Sequence, residues 1–260
     1  MRNKEVCVAA VQMRSITENK EANLKKSVEF IKKAAAQGAQ IICLPELFIT
    51  GYELNREGFL RNAERLDGPT ISTLSNLAKE LGVYIIAPLP EQGDLTGVIY
   101  NSAVLLDRWG EIVGVFRKTQ LWAKEKLYFR PGDRLPVFDT EYGKIGILIC
   151  YDAEFPEIGR RLALQGAEIF FIPSAWTIGY KHTWDTALAA RCLENTVFGV
   201  GVNMVGEGQC GHSRIIDPQG RNLQEAGKDE ETILIQKLDL GSLIKHRMDL
   251  PYLKDLRDII

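Results

Sequence analysis

The chain has 260 residues, 45% of them hydrophobic and 25% charged, and a formal net charge of −2. That is the balance of an ordinary globular protein, and it carries no electrostatic footprint for nucleic acid or an anionic membrane surface. No apolar run approaches the roughly 20 residues that span a bilayer. The start, MRNKEVCVAAVQM, lacks the length and small-residue cleavage pattern of a signal peptide, so a cytoplasmic location is expected. The five cysteines (Cys7, Cys43, Cys150, Cys192, Cys210) are scattered without a CxxC pair, which fits reduced thiols rather than a disulfide framework. His182, His212 and His246 are far apart, and Cys210-Gly211-His212 is too isolated to bind a metal; no metal or other cofactor is expected.

Along the chain, Val6 to Met13 alternates like a strand, and 19–37 reads as a helix with Leu24, Val28, Ile31 and Ala35 on its apolar face. Gly38 stops it, and Gln40 to Leu44 is a short apolar strand of the kind buried on both faces. The same helix–glycine–strand unit recurs as Ile71 to Leu81, Gly82 and Val83 to Ala87. It appears a third time as Pro156 to Gln165, Gly166 and Glu168 to Ile172. A further helix is read over Thr183 to Asn195. Hairpins are read over 102–106 with 111–117 and over 213–216 with 221–223, and Thr232 to Gln236 is a last strand. Repeated units of this kind with interleaved hairpins predict an α/β protein with mixed sheets covered by helices. No linker divides the chain, so one domain over 1–260 is expected, with 241–260 as a charged, proline-containing arm.

Chemical groups in α/β proteins gather beyond the carboxyl ends of strands. Three predicted strand exits carry unusual residues: Glu46 after Ile41 to Leu44, Lys118 after Ile112 to Phe116, and Cys150 after Ile145 to Ile149. Alone, each has an ordinary reading as a cap, a solvated charge or a small core residue. Together they form a working set. A free thiol is only about 3% ionised at neutral pH, so a nucleophile needs a base or a cation beside it. A partly buried Glu46 can be that base. Lys118 can hold the thiolate and then the oxyanion, and the Tyr151 N–H can be a second oxyanion donor. This chemistry suits acyl transfer at a carbonyl or nitrile carbon.

The segments Leu44-Pro-Glu46-Leu-Phe48, Phe116-Arg-Lys118-Thr-Gln-Leu121 and Cys150-Tyr-Asp-Ala-Glu-Phe-Pro-Glu157 resemble the signature of the nitrilase superfamily, the carbon–nitrogen hydrolases. The likeness extends to Ala9 to Met13, Phe129-Arg-Pro-Gly-Asp133, Gly201 to Gly206 and Gly211-His-Ser213, almost the whole chain. The resemblance implies a four-layer αββα sandwich with two mixed sheets and a Glu46–Lys118–Cys150 triad. It also implies a second glutamate, Glu125, that positions substrate and supports proton movement. Tyr151-Asp152 departs from the Trp-Glu pair of nitrile-cleaving members, and Ala153-Glu154 departs from both the carbamoylase pattern and the Leu-Arg of omega-amidases. The form is most similar to amidases of small aliphatic amides, with a free carboxylate on the substrate less expected. The implied activity is hydrolysis of such amides to carboxylate and ammonia through a cysteine thioester. The alternatives are N-carbamoyl or omega-amide hydrolysis, or acyl transfer from the same thioester.

Tyr52, Trp122 and Trp176 are candidate substrate-binding aromatics, with Tyr151 beside them. Asn203 and His212 lie in family-like segments, with a structural use as open as a chemical one. The resemblance further implies a homodimer through Arg160-Arg161, the region from Trp184 to Leu193 and the tail around Met248 to Tyr252. A non-catalytic interaction protein and a Cys–His hydrolase using His212 are the competing classes.

Overall fold

Two six-stranded sheets lie face to face in the computed structural model, which describes residues 5–206 and 208–257. The first half of the chain runs β1 (Glu5–Gln12), α1 (Lys20–Ala36), β2 (Ile41–Cys43), α2 (Arg56–Asn62), α3 (Pro69–Leu81), β3 (Tyr84–Gln92), β4 (Ile99–Leu106) and β5 (Ile112–Arg117). The second half runs α4 (Glu125–Tyr128), β6 (Val137–Thr140), β7 (Gly143–Ile147), α5 (Pro156–Leu164), β8 (Ile169–Ser174), α6 (Lys181–Asn195), β9 (Phe198–Asn203), β10 (Arg214–Ile216) and β11 (Asn222–Glu225). It ends with β12 (Thr232–Asp239), α7 (Leu243–Asp249) and α8 (Tyr252–Asp255).

The strand orders are β12-β1-β2-β3-β4-β5 and β11-β10-β9-β8-β7-β6. Each sheet has three parallel strands, β1 to β3 in one and β7 to β9 in the other, flanked by antiparallel neighbours. The layers follow from side-chain alternation along each strand. Val8 and Ala10 of β1 face the opposite sheet among Ile147, Phe171 and Val200. Ala9 and Val11 face the other way, onto Ile31 of α1 and Leu74 of α3. Helices α5 and α6 cover the outer face of the second sheet, where Leu162, Leu188 and Cys192 are buried. The expected αββα sandwich is the one observed.

Three readings shift. The α1 face is centred on Asn23, Ser27, Ile31 and Ala34, with Leu24, Val28 and Ala35 only partly buried beside it. A polar residue tops that face because Asn23 ties two loops: it accepts from Ile16 N (2.7 Å) and donates to Ile16 O (2.7 Å) and Ile49 O (2.9 Å). Strand β9, Phe198-Gly-Val-Gly-Val-Asn203, was not among the elements read from the sequence. Its glycines let α6 lie close, because a Cβ at Gly199 would overlap Cys192 Sγ and one at Gly201 would overlap Leu188. The first part of the 241–260 arm packs on its own chain: Leu243 joins the core and Arg247 donates to Ala167 O at 3.3 Å. No helix among the described residues is long and apolar enough to cross a membrane.

Candidate active site

Strand direction brings the site together. Strands β2, β7 and β8 end at one edge of the sandwich, and β5 ends there too, because two antiparallel steps from β3 restore its direction. Antiparallel β4 starts at that edge and places Asn101 there. Glu46 leaves β2 through a tight turn in which Leu47 takes φ +51° and Phe48 N–H donates to Pro45 O. Lys118 leaves β5 with its N–H donating to Asn101 O at 2.8 Å and its carbonyl accepting from Gly132 N at 2.8 Å. Gly132 passes so close to Arg117 that a Cβ would overlap the Arg117 carbonyl, which is the physical reason for Pro131-Gly132 here. Arg117 itself is fixed from below by a two-pronged pair with buried Glu91, at 2.6 and 2.8 Å.

Glu46, Lys118 and Glu125 are all buried and bonded in a row. Lys118 Nζ donates to Glu46 Oε1 at 2.7 Å and to Glu125 Oε1 at 2.8 Å. Asn101 Nδ2 donates to Glu46 Oε1 (2.8 Å) and Ala175 N to Glu46 Oε2 (2.8 Å). A carboxylate offers about four lone-pair directions, so among the described residues Glu46 Oε2 keeps one vacant. Glu125 is held as firmly, by Tyr52 OH on Oε1 (2.7 Å) and Trp122 N on Oε2 (2.8 Å).

Burial pushes Glu46 above the usual carboxylate range, with Lys118 pulling it back and Glu125 adding to the rise. Burial also works against the charge on Lys118, yet Glu125 and Glu46 outweigh it and hold the ammonium well above its ordinary value. Cys150 is raised well above a normal thiol by burial and then by Glu46; Lys118 and the Ala175 backbone act the other way. At neutral pH the resting group is therefore a thiol, and it holds its proton until a base takes it.

Cys150 opens a 3-10 turn, Cys150–Glu154, at φ +50°, a left-handed conformation that costs a non-glycine residue energy and aims its side chain off the strand. Asp152 holds that turn against the lysine loop. Its Oδ1 accepts from Thr119 Oγ1 (2.8 Å), Gln120 N (2.8 Å) and Thr119 N (3.2 Å), and its Oδ2 from Ile149 N (3.1 Å). Burial lifts the Asp152 carboxyl to about 6 despite Lys118 and these donors. The Tyr151 N–H, in the first turn, meets no backbone acceptor outside that turn among the described residues.

Cys150 lines a cavity of about 40 Å³ together with Tyr52, Trp122, Tyr151, Trp176 and Tyr180. That is small beside the roughly 300–1,000 Å³ of pockets for drug-sized ligands. The aromatic walls brace one another: Trp122 meets Tyr151 at 4.8 Å and Tyr180 at 5.7 Å, both edge to face. Trp176 is fixed by Asn203, which accepts from Trp176 N (2.8 Å) and donates to Gly211 O (2.8 Å).

All eight residues read from the sequence thus converge: Glu46, Lys118, Glu125 and Tyr52 in one bonded cluster, and Tyr52, Cys150, Tyr151, Trp122 and Trp176 around one cavity. His212 does not join them; its Nδ1 lies 3.0 Å from Glu225 Oε1, and its carbonyl accepts from Trp184 Nε1. Asn101, Asp152 and the Ala175 N–H were not foreseen. Only Asn101 left a signal, as an amide in the largely apolar strand Ile99 to Leu106.

The carbon–nitrogen hydrolase family profile matches residues 7–248. A protein named nitrilase from Pyrococcus abyssi is 38% identical, over 98% of this chain and 95% of its own length. An (R)-stereoselective amidase from a Pseudomonas species is 36% identical, over 90% and 85%. The crystal structure of Saccharomyces cerevisiae Nit3, described as a member of branch 10 of the nitrilase superfamily, superposes with a TM-score of 0.90 at 28% identity, over 98% of this chain and 97% of that one. On these matches the chain belongs to the carbon–nitrogen hydrolases of the nitrilase superfamily, enzymes that hydrolyse carbon–nitrogen bonds.

Proposed function

We propose that the protein is an amidase of small, mainly aliphatic amides, working through a thioester on Cys150. The observation that carries this reading is the buried Glu46–Lys118–Glu125 row behind a thiol held at positive φ on the wall of a small aromatic cavity. Glu46 takes the Cys150 proton on its vacant Oε2 position as sulfur attacks the amide carbon. Lys118 and the Tyr151 N–H stabilise the oxyanion. Glu46 then gives the proton to the departing nitrogen; the C–N bond breaks, ammonia leaves and the acyl group stays on sulfur. Water enters, loses a proton to Glu46 and attacks the thioester carbon. The C–S bond breaks, the acid leaves and the proton returns to sulfur. Glu125 orients the Lys118 ammonium and, through Tyr52, the cavity wall.

The test is ammonia release across short aliphatic amides, omega-amides, N-carbamoyl compounds and nitriles, with simple aliphatic amides expected to be hydrolysed fastest. Because Glu46 must be ionised to accept the proton and its pKa is raised, kcat/KM falls as pH drops through a value above the roughly 4.3 of a free glutamate. Fastest turnover of nitriles, or a rate flat down to pH 4, contradicts the assignment.

The proposed assembly is a homodimer through the α5, α6 and α8 side. Leu164, Met248, Tyr252 and Leu256 are exposed there, and among the described residues Arg160 Nη1 is buried without an acceptor. Trp184 has no part in it, being wholly buried within its own chain. Light scattering giving twice the 29.2 kDa chain mass supports the dimer, and a monomer refutes it.

A further inference from the structure

The cavity beside Cys150 contains a group that the proposed reaction leaves unused. Glu154, at the end of the 3-10 turn that Cys150 opens, is the one charged side chain among the described residues lining it. It is half-buried and makes no hydrogen bond or ion pair with any described residue. Asp152, two residues back in the same turn, accepts four hydrogen bonds, so the missing partner is specific to Glu154. A carboxylate withdrawn partly from water with no cation beside it is costly, and at a cavity wall it is answered by a cationic ligand. The other walls favour the same charge. Tyr52, Trp122, Tyr151, Trp176 and Tyr180 supply aromatic rings, whose electron-rich faces attract ammonium groups and repel carboxylates.

Resting on the reading that Cys150 accepts the acyl group, we infer that Glu154 is a specificity residue that binds a primary ammonium at the far end of the acyl chain. Four residues of 3-10 turn rise about 8 Å. An ammonium near Glu154 and a carbonyl at Cys150 are then joined by a chain of about three to five carbons. Substrates ending in a carboxylate meet Glu154 as a like charge and are selected against; a neutral alkyl end is accepted without the ion pair.

The experiment compares 5-aminopentanamide, pentanamide and 4-carbamoylbutanoate, matched in length, by kcat/KM for ammonia release. Wild type is expected to favour the ammonium compound over the neutral one about tenfold, and over the carboxylate about a hundredfold, as a partly screened charge pair allows. Glu154→Gln brings the first ratio close to one, Glu154→Asp keeps the order, and Glu154→Lys turns it toward the carboxylate. Equal rates for all three compounds in wild type, or a preference that survives Glu154→Gln, overturns the inference. The same compounds are also titrated calorimetrically into Cys150→Ala protein, where no chemistry occurs. If wild type hydrolyses none of the amides, the proposed reaction fails. The ammonium preference in the titration, and its loss in Cys150→Ala/Glu154→Gln, then still decides the role of Glu154.

Discussion

Cys150→Ala lowers kcat/KM for the best amide by roughly 10⁴-fold or more, the usual cost of removing a covalent nucleophile, while the thermal midpoint stays within a few degrees of wild type. The activity loss is expected because neither Glu46 nor Lys118 can form the thioester. The fold survives because the thiol makes none of the bonds that build the site: Glu46, Lys118 and Glu125 hold one another, and Asp152 holds the turn. Cys43, Cys192 and Cys210 do not replace it, since all three are buried away from the cavity lining. Steady-state kinetics with circular dichroism checks both halves. Retention of a tenth of the activity refutes the nucleophile, and loss of the fold shows that the side chain is structural.

Lys118→Met has the larger effect on stability. It leaves Glu46 and Glu125 buried and facing the place of the lost ammonium. Removing one partner of a buried pair costs about 3–5 kcal/mol, or roughly 10 °C in a chain of this size. Two remaining carboxylates put the value at the upper end. The sign of its pH dependence follows. Without Lys118 the Glu46 carboxyl, already raised by burial, is raised further, so the folded protein binds a proton more tightly than the unfolded chain. The deficit is larger at neutral pH and shrinks as pH falls through that raised value. Adding Glu125→Gln removes one of the two charges and recovers part of the loss. Turnover stays absent in both variants, because the oxyanion loses its ammonium. Urea unfolding at pH 5 and pH 8 measures this; a Lys118→Met protein as stable as wild type at pH 8 contradicts a buried three-charge cluster.

Much of the fold, and which residues gather at the candidate site, was legible in the sequence for a local reason. Glu46 and Cys150 each interrupt an apolar run just past a buried strand, and Lys118 follows the edge strand β5; a charge or thiol just past a buried strand is hard to explain by packing. Glu125 was not readable that way, since Lys124 and Lys126 flank it like a solvated face. Its buried place is set by Tyr52, 73 residues earlier, together with Lys118 on the preceding loop. Asp152 and Ala175 were out of reach because what they do depends on geometry across loops: one carboxylate takes four donors from two loops, and one N–H points at Glu46. The same limit hid β9, whose glycines serve the approach of α6 rather than a turn.

The most direct measurement is acid-quenched mass spectrometry of the protein mixed with a short aliphatic amide during turnover. The expected result is a single adduct of acyl mass on the peptide bearing Cys150, released by hydroxylamine and missing in Glu46→Gln protein. Amide hydrolysis with no adduct on that peptide, or with the acyl group on another residue, would contradict a thioester at Cys150.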